Sequence, residues 1–149
     1  MSSGRLLGID HGIKRIGLAV CDPLRMVARE VMILERRSRQ EDFDAINTLA
    51  AREQVVGVIV GLPSTLEAEP GAYTQADTVR LWVERYSATT NLPILLWDEQ
   101  LTSEDAKELA RLQKRGITGP IDDLAARLIL QSYLDALHDG LAPEITDPD

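Results

Sequence analysis

Three carboxylates stand at the ends of predicted elements, where they could meet. Asp10 ends one apolar strand-like run, Glu99 ends another, and Asp122 opens the last predicted helix. Carboxylates gathered at one point repel one another and resist ionisation unless a multivalent cation offsets their charge. Hard oxygen ligands favour Mg²⁺ or Mn²⁺. The pattern therefore fits a two-metal site, which could support in-line displacement at a phosphodiester.

Each of the two later acids has an acidic neighbour. Alternation along a strand points Asp98 to the face opposite that of Glu99, so only one of the two can join the site. In helical projection Asp122 lies on the face of small and apolar residues, whereas Asp123 leans to another side. A purely structural interpretation stays open, with Asp122 as a helix N-cap and Glu99 as a solvated loop acid.

A glycine-containing turn follows Asp10 in the segment Asp10-His11-Gly12-Ile13-Lys14-Arg15-Ile16-Gly17. We expect Gly12 to permit a turn with positive φ, and Lys14 and Arg15 then bring two cations close to the acid. Actin-like kinases and ATPases use a similar turn around a nucleotide phosphate. They also need a second matching turn and a second domain, and neither is present in 149 residues. The turn therefore suits contact with a phosphodiester backbone.

The elements that would position these residues follow from hydrophobic periodicity. Two short apolar runs joined by the glycine turn predict a β-hairpin, and a third run extends it to an antiparallel meander. Later apolar runs alternate with helical patterns, which predicts parallel strands joined by right-handed crossovers. The predicted strands are Arg5–Asp10, Arg15–Cys21, Val27–Leu34, Val55–Gly61 and Pro93–Trp97. The predicted helices cover roughly 41–53, a segment marked by Ala76, Val79, Val83 and Tyr86, a segment carrying Ala106, Leu109 and Ala110, and roughly 122–137.

This order predicts an α/β fold with a mixed five-stranded sheet flanked by helices. A chain of 149 residues with 44% apolar and 27% charged residues is the size and composition of one folded domain. The longest apolar run, Val55 to Leu62, is too short to cross a bilayer. With no secretory signal and a single cysteine, Cys21, we expect a cytoplasmic protein without disulfide or zinc. Cys21 is expected to be a small buried residue.

Charge is distributed unevenly along the chain. Residues 1–40 hold eight basic and four acidic residues, a net charge of +4, and the remainder carries −12. Such asymmetry permits one basic face on an acidic body. The alternative is a scattered set of solvated arginines, for which the turn containing Arg36, Arg37 and Arg39 is an example.

Four motifs carry a resemblance to a known family. They are Leu7 to Val20, Val58-Ile59-Val60-Gly61-Leu62-Pro63, Asp98-Glu99-Gln100-Leu101-Thr102-Ser103, and Ile121 to Gln131. In this order they closely resemble the YqgF/RuvX family over about residues 5–138. The resemblance implies a ribonuclease H-like nuclease domain over residues 1–138, followed by a flexible acidic tail at residues 139–149. It also implies a bacterial cytoplasmic nuclease that trims the 5′ end of the 16S rRNA precursor and is related to Holliday junction resolvases.

By motif position, the resemblance makes Asp10, Glu99 and Asp122 the catalytic residues and the ligands of Mg²⁺ or Mn²⁺, with two ions expected. Lys14 and Arg15 match the family's basic pair and would bind nucleic acid. This chain departs from the family at Asp123, where a small or polar residue is usual, and at Gln100, where arginine is usual. Ala68 stands near a common glycine in the loop after Gly-Leu-Pro.

Three other functions remain as alternatives. Resolution of a four-way DNA junction would need a homodimer that presents two sites. A non-catalytic nucleic-acid or transcription-complex adaptor could use the same fold, although the intact acids oppose it. An actin-like nucleotide-binding module lacks its second half. Aromatic residues make up only 4% of the chain and show no stacking platform, so we expect recognition by backbone and shape.

Overall fold

The computed structural model describes residues 3–63, 71–98 and 121–145, with the backbone alone for residues 121–124. The elements are β1 (Arg5–His11), β2 (Arg15–Cys21), β3 (Ala28–Glu35), α1 (Arg39–Arg52), β4 (Val55–Leu62), α2 (Gln75–Ser87), β5 (Ile94–Asp98) and α3 (Ile121–His138). They agree with the predicted elements to within a few residues at each end. The helix predicted to carry Ala106, Leu109 and Ala110 lies outside the described residues.

The strands form one mixed sheet in the order β3-β2-β1-β4-β5. The pairs β1–β2 and β2–β3 are antiparallel, whereas β1–β4 and β4–β5 are parallel. This confirms the predicted meander joined to a parallel half. Strands β1 and β4 are central and apolar on both faces, as strands covered by helices on both sides must be.

Each face of the sheet buries its own core. The face covered by α1 and α2 contains Leu7, Ile9, Ile16, Leu18, Val58, Val60, Phe43, Ile46, Val79, Trp82 and Tyr86. The face covered by α3 contains Leu6, Ala19, Cys21, Ile59, Ala126, Ile129, Leu130, Tyr133, Leu134 and Ile145. Cys21 is buried, as predicted, and its Sγ accepts a hydrogen bond from the Leu6 amide at 3.2 Å.

Side-chain caps define where α1 and α2 begin. The Ser38 hydroxyl accepts a hydrogen bond from the Glu41 amide, so α1 begins two residues before the predicted start. At α2, the Thr74 hydroxyl accepts from the Asp77 amide, and the Asp77 carboxylate accepts from the Thr74 amide. This reciprocal capping box ties down two of the donors that a helix N-terminus leaves unpaired.

Helix α3 runs antiparallel to β1, so the start of the helix lies at the end of the strand. An ideal Cβ at Gly8 would lie 2.8 Å from Leu130 Cβ and 3.2 Å from the Ala126 carbonyl oxygen, so α3 touches the β1 backbone there. At the far end, His138 Nε2 lies 2.9 Å from the carbonyl oxygen of Arg25, whose side chain contacts the residues before β1. Helix α3 therefore ends beside the start of β1 and begins at the end of β1.

A fully buried arginine joins three separate segments. Arg25 is 1% exposed and donates to the carbonyls of Gly4 (2.9 Å), Ser3 (3.1 Å) and Ile145 (2.8 Å). Its backbone has φ +59°, in the left-handed region that non-glycine residues rarely adopt. The described part of the expected acidic tail, up to Ile145, packs on the domain, and Ile145 is buried in the α3-side core. Within the described ranges, no helix is both long and apolar enough to cross a membrane.

Candidate active site

Asp10 lies near the end of the central strand β1, on the face that α3 covers. Alternation along β1 points Leu6, Gly8 and Asp10 to that face, and Leu6 belongs to its core. Asp10 is half-buried and pairs in register with Gly17 of β2. The carboxylate thus stands at the edge of the sheet, at the boundary between the α3-side core and solvent.

The backbone brings the start of α3 to this same edge. Because α3 begins at the end of β1, its first turn, which includes Asp122 and Asp123, lies on the side of the sheet where Asp10 stands. Ala126 and Ile129, further along the same helical face as Asp122, are buried against the sheet as predicted.

The third expected acid follows β5. Strand β5 runs parallel to β4, so its last described residue, Asp98, also lies at this edge, in register with Leu62. Leu96 packs on the α2-side core and Trp97 on the α3-side core, so alternation directs Asp98 to the face away from Asp10. Glu99 lies outside the described residues, and its place in the site stays a prediction.

Of the three expected metal ligands, Asp10 alone has a described side chain. Among the side chains that the structure describes, no three His, Cys, Asp or Glu residues lie close enough to hold a metal ion. What the described backbone shows is that the ends of β1 and β5 and the start of α3 lie at the same edge of the sheet.

The turn after Asp10 is tight for a reason other than the one expected. Gly12 does not adopt positive φ, so that prediction is wrong. Instead, its amide donates to the Arg15 carbonyl at 2.9 Å, and an ideal Cβ at Gly12 would lie only 2.5 Å from that oxygen. Glycine is needed here because the two arms of the hairpin approach too closely for any side chain.

Two basic residues stand at the outer end of this hairpin. Lys14 is exposed in the turn, and Arg15 is exposed at the start of β2, where its Nε donates to Glu35 Oε1 at 2.8 Å. Arg15 alternates with Gly17 and Ala19, and Ala19 belongs to the α3-side core. Arg15 therefore lies on the face of the sheet that carries Asp10. It is two residues, or about 7 Å, along β2 from Gly17, the residue paired with Asp10.

Arg36 donates hydrogen bonds to the backbone of the turn. Its amide donates to the Lys14 carbonyl at 3.0 Å, and its Nη1 donates to the Gly12 carbonyl at 3.1 Å. Its Nε lies 3.7 Å from Oδ2 of Asp42, a carboxylate only 2% exposed. Of the arginines in the solvated-turn alternative, Arg36 is partly buried and packs between the turn and α1, whereas Arg37 and Arg39 are exposed.

His11 is the residue beside the site that sequence reasoning missed. It follows Asp10 and points to the opposite face, where it is 6% exposed and its ring centroid lies 4.9 Å from that of Trp82. Burial, with a smaller contribution from nearby Arg36, lowers the pKa of His11 to about 4, so the ring is neutral at pH 7. Strand alternation could have signalled that this histidine faces the α1/α2 side.

The sequence is similar to those of a known protein family. The family model described as "RuvX: Holliday junction resolvase" matches residues 4–136. Two curated relatives carry the name "Putative pre-16S rRNA nuclease". The one from Syntrophus aciditrophicus is 37% identical, covering 93% of each chain. The one from Thermosynechococcus vestitus is 38% identical, covering 88% of this chain and 87% of its own.

Solved structures match the fold. A Thermus thermophilus RuvC in complex with a Holliday junction substrate superposes with a TM-score of 0.65 at 17% identity, covering 93% of this chain and 98% of its own. A fowlpox virus resolvase bound to Holliday junction DNA gives a TM-score of 0.53 at 14% identity, covering 89% and 98%. At this identity the likeness concerns the fold, and it confirms the ribonuclease H-like architecture.

Proposed function

Because this chain belongs to the RuvX family, we propose that it is a divalent-metal-dependent nuclease that processes the 5′ end of the 16S rRNA precursor. The family description names a resolvase and the curated relatives that cover nearly the whole chain are named as nucleases, so both point to hydrolysis of phosphodiester bonds. The substrate, the metal ligands and the phosphate contacts are the parts of the proposal that need experiment.

The observation that carries the proposal is the position of Asp10. It is a half-buried carboxylate at the end of the central strand, on the face where α3 begins. Asp122 belongs to the first turn of α3, and Glu99 directly follows Asp98 at the end of β5. These positions support a shared site.

The donors present fit a hard divalent cation. Three carboxylates supply only oxygen ligands, which suit Mg²⁺ or Mn²⁺ better than softer metals. We assign Asp10, Glu99 and Asp122 as the residues that would hold the metal, with two ions rather than one. When bound, such ions activate water and stabilise the leaving oxygen of a phosphodiester.

The chain's own cations would hold the substrate. Lys14 is exposed in the turn beyond Asp10, and Arg15 lies on the same face of the sheet as Asp10. Both can contact backbone phosphates on either side of the bond that is cut, and neither reads the identity of a base. The ion pair between Arg15 and Glu35 is exposed, so Arg15 can exchange that partner for a phosphate at little cost.

The test compares two substrates with two variants. The purified protein is assayed with Mn²⁺ on a 5′-extended 16S precursor and on a mobile four-way DNA junction, beside Asp10→Asn. Asp98→Asn is the matched control, since this acid ends β5 on the face away from Asp10.

We expect cleavage of the RNA precursor, loss of at least about a hundredfold in Asp10→Asn, and near wild-type rates in Asp98→Asn. Preferred cleavage of the junction by a dimer would instead identify a resolvase. Metal-dependent cleavage that survives Asp10→Asn would refute the assignment of the site, and binding of both substrates without cleavage would favour the adaptor.

A further inference from the structure

A cavity of about 390 Å³ opens on the side of β1 away from Asp10. Its walls come from the end of the β1–β2 hairpin, the segment after β3 and the start of α2. The lining includes His11, Ile13, Arg36, Tyr73, Gln75 and Thr78. The volume falls in the range of small-molecule pockets.

Unsatisfied polar atoms concentrate behind this cavity. In the part of the chain that the structure describes, three buried side-chain atoms have no hydrogen-bond partner: His11 Nε2, Trp82 Nε1 and Asp42 Oδ2. His11 lines the cavity, the Trp82 ring packs on His11, and Asp42 lies 3.7 Å from Arg36 Nε. Burying a polar group without a partner is costly, so a cluster of such groups requires an explanation, and a bound molecule that supplies the missing partners is one.

The start of α2 adds a donor to the same cavity. Thr74 and Asp77 satisfy each other in the capping box, and Gln75, the first residue of α2, lines the cavity with its polar side chain. The hydroxyls of Tyr73 and Thr78 lie 3.3 Å apart at the cavity wall. Donors and acceptors are therefore mixed along one side of the cavity.

The charges favour a neutral ring over an anion. Arg36 lies beside the buried carboxylate of Asp42, and the Asp77 carboxylate occupies the helix N-terminus, so neither feature offers an uncompensated positive charge. The mouth is apolar, since Ile13 is 84% exposed and Tyr73 72% exposed. A flat heteroaromatic ring with a polar edge matches these walls better than a phosphate does.

We propose that this cavity binds the base of an unpaired nucleotide in the substrate strand, stacked on Tyr73 with its polar edge toward His11 and Thr78. The inference rests on the proposed nuclease function and deepens it, because it specifies a strand with at least one unpaired base. It replaces the expectation of recognition by backbone and shape alone, since a single exposed ring at the cavity suffices to stack one base.

The connection to the candidate active site is short. Asp10 and His11 are consecutive, so their Cα atoms are about 3.8 Å apart while their side chains lie on opposite faces of the sheet. A strand crossing the end of β1 can therefore place a base in the cavity and an adjoining phosphate near Asp10. The hairpin tip with Lys14 lies along the same edge.

The experiment measures binding without chemistry. The full chain is titrated in EDTA with a fluorescently labelled single-stranded RNA and with the same strand in a perfect duplex. Tyr73→Ala removes the stacking surface, Tyr73→Phe retains it, and Leu141→Ala serves as a control at another exposed apolar residue. Circular dichroism and melting temperatures establish that each variant folds.

We expect Tyr73→Ala to weaken single-strand binding about tenfold or more, with duplex binding unchanged and Tyr73→Phe within about twofold of wild type. Thr78→Val should alter the preference among the four bases, which a purely structural threonine would not do. Equal losses for single strand and duplex, or no loss in Tyr73→Ala, would overturn the inference. If binding depends on Tyr73 but the protein cleaves neither substrate, the nucleotide-binding site is supported and the proposed nuclease function is refuted.

Discussion

Asp10 pairs in register with Gly17, so the half-buried carboxylate has no side chain beside it on the neighbouring strand. The next residue of β2 on that face toward the hairpin is Arg15, and the helix facing Asp10 starts at the same edge. The acid is thus bordered by a glycine, a surface cation and the first turn of α3.

Asp10→Asn separates metal binding from folding. If Asp10 serves only to hold a cation, the nearly isosteric amide removes repulsion between acids, and the metal-free variant should melt at the wild-type temperature or slightly above it. Mn²⁺ should raise the melting temperature of the wild type by binding the native state and leave the variant unchanged. Thermal melts with and without Mn²⁺ test this. An equal shift in both proteins would place the metal elsewhere.

Lys14 and Arg15 should control the salt dependence of nucleic-acid binding. Each phosphate contact that is lost should flatten the slope of log affinity against log salt by about 0.7 to 0.9. Lys14→Ala and Arg15→Ala should therefore weaken binding across all sequences. Fluorescence anisotropy over a range of KCl concentrations measures the slope, with Arg52→Ala as a matched loss of one exposed charge at the end of α1. A slope unchanged in the double variant would remove both residues from the interface.

Gly8 keeps β1 and α3 in contact, and its replacement should harm both stability and activity. The added Cβ of Gly8→Ala would meet Leu130 Cβ at 2.8 Å and the Ala126 carbonyl oxygen at 3.2 Å, atoms that cannot rotate away. We expect a loss of about 2 to 3 kcal/mol in urea unfolding and a displaced start of α3.

Gly61→Ala is the informative comparison for Gly8→Ala. Its Cβ would meet the far end of Ile129, Cδ1, at 2.5 Å. It should therefore cost less, and Ile129→Val should recover part of the loss by removing that methyl group. If Gly61→Ala is as damaging as Gly8→Ala, close backbone contact is not what makes position 8 sensitive.

Tyr86 should make the protein sensitive to alkaline pH. Burial raises the pKa of Tyr86 to about 12, and its hydroxyl donates to Asn47 Oδ1 at 2.9 Å. Because the unfolded chain ionises near pH 10, stability should fall as pH rises from there to 12, by about 1.4 kcal/mol at pH 11. Urea unfolding at pH 8 and pH 11 should show a steeper decline for wild type than for Tyr86→Phe. Parallel declines would assign the alkaline loss to other groups.

Arg25 should be among the most sensitive positions for stability. Arg25→Met fills similar space but leaves the carbonyls of Ser3, Gly4 and Ile145 without their donor, so we expect a loss of about 3 kcal/mol or more. The stability of Arg25→Lys should lie between those of the wild type and Arg25→Met, because lysine retains the charge but has fewer hydrogen-bond donors than arginine. Chemical unfolding measures both, with Arg52→Met as the exposed reference. A neutral Arg25→Met would mean that water can replace the guanidinium.

Periodicity was enough to predict the strands, the three described helices and the position of Asp10, because apolar alternation reports which face is buried. It could not identify Arg25, whose burial depends on carbonyls up to 120 residues away in the chain. It also misjudged Gly12, because a close approach between hairpin arms leaves no mark on sequence distinct from a left-handed turn. Asp42 shares this limit, since a buried aspartate and a solvated one are the same residue type, whereas alternation along β1 does indicate the face that His11 occupies.

The different environments of Asp10 and His11 depend on the register of β1, and a shift of one residue would exchange them. Side chains alternate along β1, so a shift of the strand by one position would place the carboxylate of Asp10 beside the Trp82 ring. The imidazole of His11 would then lie at the edge where α3 begins. Point substitutions at either position can be graded in their effect. An insertion or deletion within β1 would exchange the two environments at once, so the length of this strand should be far less tolerant of change than its composition.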